Sequence, residues 1–155
     1  MLDGKLVLVT GASRGIGKAI ALTLGRAGAT VIGTATTESG SDNISKVFAE
    51  NNISGKGVEL DVTNNDQISS LIKSVNEDFG SIDILINNAG ITRDNILLRM
   101  KEDEWEDIIN TNLSSLYKMS KSISMPQQWC CKKVISIDEG ILEELTKEAE
   151  VPRVV

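Results

Sequence analysis

Glycines at positions 11, 15 and 17, in the run Thr10-Gly11-Ala12-Ser13-Arg14-Gly15-Ile16-Gly17, are the residues whose type and spacing speak first of chemistry. The run follows Lys5–Thr10, a short apolar stretch suited to a buried strand, and opens into a segment with helical periodicity. A strand that delivers glycines to a helix start is what holding a pyrophosphate requires. Glycine reaches positive φ and lets the backbone approach phosphate oxygens closely. The helix N-terminus adds unpaired N–H groups and the positive end of its dipole. The spacing is Gly-x-x-x-Gly-x-Gly, not the Gly-x-Gly-x-x-Gly of the handed-down dinucleotide fingerprint. By themselves the glycines therefore fit either a nucleotide site or an ordinary glycine-rich turn.

Other chemistries are narrowed by what the chain contains. Its 155 residues include no histidine, which removes histidine triads, histidine general bases and histidine metal ligands together. Cys130 and Cys131 are adjacent, a spacing that suits neither a Cys-x-x-Cys redox pair nor a zinc knuckle, and they are expected to be reduced. No metal site is expected. A net charge of −6 argues against non-specific binding to nucleic acid or to an anionic membrane, both of which need a basic surface. The apolar run Leu6–Val9 is too short for a signal-peptide core or a membrane span, so a cytoplasmic protein is expected.

The elements that must position these residues alternate between strand and helix. Lys5–Thr10, Thr30–Ala35, Gly57–Leu60 and Ile82–Ile86 read as strands. Between them, Gly15–Arg26 carries Ile16, Ile20 and Leu24 at four-residue spacing and is closed by Gly28, and Asp42–Asn51 reads as a polar helix. A third helix has Ile68, Leu71, Ile72, Val75 and Phe79 on one face. From Lys101 a long helical stretch carries Trp105, Ile108, Ile109, Leu113, Leu116 and Met119. This order predicts an α/β fold, a doubly wound parallel sheet of Rossmann type with right-handed crossovers, ending at about the fifth strand. Beyond Lys121 the texture changes: both prolines, both cysteines and Trp129 fall there. Lys133–Ile137 reads as a further strand and Ile141–Ala149 as an acidic helix. The chain thus divides into residues 1–121, a nucleotide-binding half, and 122–155, a divergent tail.

Taken in order, Thr10-Gly11-x-x-x-Gly15-Ile16-Gly17, Asp61-Val62 after the third strand, Asn87-Asn88-Ala89-Gly90 after the fourth and Asn110-Thr111-Asn112-Leu113 resemble the short-chain dehydrogenase/reductase family. Two further stretches, Ala89–Asn95 and Trp105–Ile109, resemble its bacterial 3-oxoacyl-(acyl-carrier-protein) reductases. The likeness covers about residues 1–121. It implies NADPH-dependent reduction of a 3-oxoacyl-(acyl-carrier-protein) thioester in fatty-acid synthesis, and a homo-oligomer. It assigns Gly11, Ser13, Arg14, Gly15, Ile16 and Gly17 to the pyrophosphate and adenosine-ribose end, Asp61 and Val62 to the adenine, and Asn88, Ala89 and Gly90 to the riboses. Some of these carry a second reading. Gly17 also suits close helix–strand packing, Asp61 suits a turn, and Asn87 is read as tying strands together.

Charge bears on the choice of cofactor. An NAD site places an acid at the end of the second strand, whereas this chain has Gly33-Thr34-Ala35-Thr36-Thr37 there. An acid would repel a 2′-phosphate; Thr36 can donate a hydrogen bond to one and Arg14 can pair with it. NADP(H) is the expected cofactor.

The resemblance further implies a catalytic serine, a Tyr-x-x-x-Lys pair and an asparagine that helps hold a water, and Asn112 matches the last. Tyr117-Lys118-Met119-Ser120-Lys121 has the spacing of the pair but lies on the helix of Asn112, about 500° away at ~100° per residue, rather than after the next strand. Tyr117 is expected to be a partly buried aromatic, with Lys121 in solvent. After Lys133–Ile137 stand Asp138 and Glu139, where the family has its Gly-Ser, and Ser136 is read as a core-edge residue. These 155 residues are therefore expected to be catalytically incomplete. Three readings follow: the reductase itself, a catalytically silent NADP(H)-binding module, or a truncated or frame-shifted product that is marginally stable and prone to associate.

Overall fold

The computed structural model describes residues 2–124 and 133–136. Its centre is a five-stranded parallel sheet in the order β3-β2-β1-β4-β5, with β1 Leu6–Val9, β2 Thr30–Ala35, β3 Gly55–Glu59, β4 Ile84–Asn87 and β5 Lys133–Ser136. Leu6 to Val9 pair with Thr30 to Gly33 on one side, and Val7 to Val9 pair with Ile84 to Ile86 on the other. On the far side of β4, Ile84 to Asn87 pair with Lys133 to Ser136. The doubly wound parallel architecture is as the sequence implies, and the strand order runs outward in both directions from β1.

Each face of the sheet buries its own apolar set, because successive side chains in a strand alternate. Leu6, Leu8, Ile32 and Leu85 face α3 (Asn65–Asp78) and α5 (Ser115–Ser124), meeting Ile68, Leu71, Ile72, Val75, Met119 and Ile123. Val7, Val9, Val31 and Ile86 face α1 (Gly15–Arg26) and α2 (Glu38–Glu50), meeting Ala21, Ile44 and Phe48. The periodicity read for α3 is correct in its first four positions, all buried; Phe79 lies just past the helix and is exposed.

Several local readings are corrected. Ile16 does not share the buried face of α1: it is 51 % exposed, and Gly17 and Ala21 are the buried positions. The helix α2 starts one turn before Asp42, because Thr37 in extended conformation accepts a hydrogen bond from the Gly40 N–H and caps it. The strand β4 starts at Ile84 rather than Ile82. Asp83 ahead of it receives the Leu6 N–H at 3.1 Å and the Lys5 ammonium at 2.9 Å, which aligns the entrances of β1 and β4.

The long helix from Lys101 is α4 (Glu102–Ile109) and α5 joined through a π-helical turn at Asn110–Ser114. Such a turn widens the helix by a residue and re-aims the side chains beyond it. Tyr117 is 66 % exposed rather than partly buried, with the Lys121 ammonium 5.5 Å from its ring centroid. The helix expected at 141–149, and the positions of Cys130, Cys131, Asp138 and Glu139, lie outside the described residues.

Candidate functional site

At the β1/β4 boundary the strand order reverses direction, and the C-terminal ends of the two strands at such a switch point are where an open α/β sheet forms its ligand crevice. Thr10 closes its floor. It is buried, its Oγ accepts the N–H groups of Asn88 and Ala89, each at 3.0 Å, and donates to the Ile86 carbonyl at 3.3 Å. Thr34, equally buried, does the same from β2: its carbonyl accepts the Ala12 N–H at 2.8 Å and its Oγ the Gly11 N–H at 3.3 Å. Neither threonine was singled out from the sequence as a site residue, although Thr10 stands at the head of the glycine run.

Asn88 locks the two loops together from the other side. Its Nδ2 donates to the carbonyls of Thr10 and Gly11 at 2.9 and 3.0 Å. Asn87 itself pairs β4 with β5 opposite Ser136. Asn87 is buried, and its Nδ2 has no hydrogen-bond partner among the described residues. A methyl added to Gly17 would run into the Gly11 carbonyl and the Asn88 amide, so this glycine is required where α1 packs onto the strand ends. Gly11, at φ +68, sits with Ala89 Cα 3.0 Å from where its Cβ would be.

Gly15 differs from both. It has φ +55, and no atom lies within 4 Å of an added Cβ, so its face opens onto space. It is the first residue of α1. The N-cap, Arg14, makes no side-chain capping bond, and the first turn contains no acid. The leading N–H groups of a twelve-residue helix are therefore left without an internal acceptor at the mouth of the crevice. Ile16 and the N-cap Arg14 are exposed there, and Thr36 and Thr37 are exposed just after β2.

The third wall is the β3–α3 connection. Asp61 Oδ1 accepts from the N–H and the Oγ of Thr63 at 2.8 and 2.7 Å, and the Asp61 N–H donates to Gln67 Oε1 at 2.8 Å. Asp61 thus braces the turn, and it is exposed. The Val62 side chain is buried in the α3–α5 core, so only its backbone is available to a ligand.

Asn112 sits in the π-helical turn and clasps the loop after β4: its Oδ1 accepts the Ile91 N–H at 2.8 Å and its Nδ2 donates to the Ile91 carbonyl at 2.9 Å. Gly90 lies against it, with the Asn112 Oδ1 3.3 Å from an added Cβ. The sequence gave no sign of the π turn that holds Asn112, since apolar spacing is too coarse to register one extra residue. Among the described residues no cluster of His, Cys, Asp and Glu could hold a metal ion, and no helix is long and apolar enough to cross a membrane.

A family model described as short chain dehydrogenase matches residues 5–128. The chain belongs to the short-chain dehydrogenase family. Among curated relatives it is 60 % identical over 122 residues to a 3-oxoacyl-(acyl-carrier-protein) reductase of Vibrio harveyi, covering 79 % of this chain and 49 % of the relative. To the enzyme of the same name from Salmonella typhimurium it is 54 % identical over 136 residues, covering 87 % and 54 %. To that of Escherichia coli (strain K12) it is 56 % identical over 121 residues, covering 78 % and 48 %. The chain spans about half the length of these relatives.

Proposed function

We infer that residues 1–121 form the NADP(H)-binding half of a reductase acting on 3-oxoacyl groups carried as acyl-carrier-protein thioesters. The observation that carries this reading is the start of α1: an uncapped helix N-terminus, headed by a glycine at φ +55 with open space beside it, in the connection that follows β1 at the β1/β4 switch point. That arrangement suits a pyrophosphate, whose charge the first-turn N–H groups and the helix dipole would offset. In this reading Gly11, Ser13, Arg14, Gly15, Ile16 and Gly17 line the pyrophosphate and adenosine ribose, Asp61 and the Val62 backbone the adenine, and Asn88, Ala89 and Gly90 the riboses. Arg14, the exposed N-cap of α1, and Thr36, exposed just after β2, are the residues this reading assigns to a 2′-phosphate.

Hydride donation to a carbonyl carbon is the chemistry that a bound nicotinamide brings. The described residues contribute position: Thr10 and Asn88 fix the crevice floor, and Asn112 fixes the backbone at Ile91. Tyr117 and Lys121 do not serve as proton donor and its cation. They lie together on an exposed face of α5, stacked on each other. In this reading these 155 residues bind cofactor and do not by themselves reduce substrate, and the whole protein's reduction of a 3-oxoacyl thioester is proposed from its relatives. The test is to titrate the chain with NADPH by fluorescence and then add an acetoacetyl thioester. Saturable binding with no loss of nicotinamide absorbance is expected. Turnover would overturn the assignment of Tyr117, and absence of binding the cofactor reading itself.

A further inference from the structure

The Lys118 ammonium donates to the Thr63 carbonyl at 3.0 Å, across 55 residues of sequence. Residues 61–64 are otherwise closed upon themselves and upon the start of α3, through Asp61 to Thr63 and Gln67 and through Asn64 to Asp66 and Gln67. The Lys118 bond ties this connection to α5, a distant element. Its neighbour Met119 is fully buried in the cluster that also holds Val62, so the lysine stem leaves α5 at a fixed point against the same loop.

Six residues earlier on the same helical rod, Asn112 clasps Ile91 through two hydrogen bonds. One rod thus holds two walls of the crevice, the β3–α3 connection through Lys118 and the loop after β4 through Asn112. The π turn lies at the Asn112 end and sets the rotation between the two grips. Thr63 is two residues from Asp61, and a displacement of its carbonyl carries the Asp61 turn with it, because Asp61 Oδ1 is bonded to both the N–H and the Oγ of Thr63.

We propose that Lys118 is a positioning residue for the adenine end of the cofactor, holding the Asp61–Thr63 turn at a set distance from the wall that Asn112 fixes. This rests on the cofactor reading above. It predicts an effect confined to one end of the ligand. Lys118→Met keeps the apolar stem and removes the ammonium; Lys118→Arg keeps a donor.

The experiment compares the full chain with both variants, using adenosine 2′,5′-bisphosphate and reduced nicotinamide mononucleotide as probes, with amide hydrogen exchange of residues 61–64 in the free protein. In Lys118→Met, affinity for the adenosine probe falls about five-fold, the size of one ordinary hydrogen bond. Affinity for the mononucleotide is unchanged, exchange at residues 61–64 quickens, and Lys118→Arg restores both. Equal weakening of both probes, or an unchanged affinity for the adenosine probe in Lys118→Met, overturns the proposal while the cofactor reading stands. Failure of the unsubstituted chain to bind either probe removes the cofactor reading, and the proposal with it.

Discussion

Gly15 and Gly17 are two residues apart, and an added methyl is expected to fail at each for a different reason. At Gly17 it meets the Gly11 carbonyl and the Asn88 amide, neither of which can yield without parting β1 from β4. Gly17→Ala is expected to lose about 3 kcal/mol of stability by overpacking. At Gly15 the methyl meets nothing, and the cost is that of φ +55 for a residue with a Cβ, about 1–2 kcal/mol. The methyl would then occupy the space assigned to the pyrophosphate, so Gly15→Ala is expected to lose NADPH affinity out of proportion to its stability. Urea denaturation and NADPH titration of both variants check this. A Gly15→Ala chain that binds as tightly as the parent would contradict the assignment.

At the scale of elements, the entrance of α4 is sensitive to acid. Glu104 accepts the Lys101 N–H at 2.8 Å and the Asn95 amide at 3.1 Å. The Lys101 hydrogen bond first, and the Asn95 bond second, hold its carboxyl below the usual glutamate range. Because the folded-state value is the lower one, the stabilisation is present above the ordinary glutamate range and is lost as pH falls through the lowered value. Far-UV circular dichroism across the acid range is expected to show helix loss that Glu104→Gln reduces; identical acid profiles would count against it.

The elements also show what sequence makes legible. Helix α3 was plain because Ile68, Leu71, Ile72 and Val75 repeat at the helical period, and β1 because a strand covered on both faces is a continuous apolar run, whereas in α1 the same spacing put the exposed Ile16 on the buried face. The first turn of α2, Glu38-Ser39-Gly40-Ser41, has no apolar repeat and is set by the Thr37 cap instead. The site residues were legible as motifs, but their division of labour was not. That Asn88, Thr10 and Thr34 build the floor, and that Lys118 reaches Thr63, depends on contacts spanning 23 to 79 residues, which spacing along the chain does not encode.

For the whole molecule, the surface carries an apolar stretch that the fold does not cover. Leu98 is 95 % exposed and Leu97 77 %, and Ile96, Trp105, Leu113 and Tyr117 are also exposed, all between residues 96 and 117. Unpartnered apolar surface favours association. Sedimentation velocity is expected to show species larger than a monomer, shifted towards monomer by Leu97→Asp combined with Leu98→Asp. A clean monomer for the unsubstituted chain would contradict this.

The central claim is that the crevice at the β1/β4 switch point is an NADP(H) site, and comparing the affinities of NADPH and NADH by calorimetry tests it most directly. With Arg14 at the start of α1, Thr36 just after β2 and no acid from Thr30 to Thr37, NADPH is expected to bind at least about ten-fold more tightly. Equal affinities would contradict the 2′-phosphate assignment, and no binding of either would contradict the site.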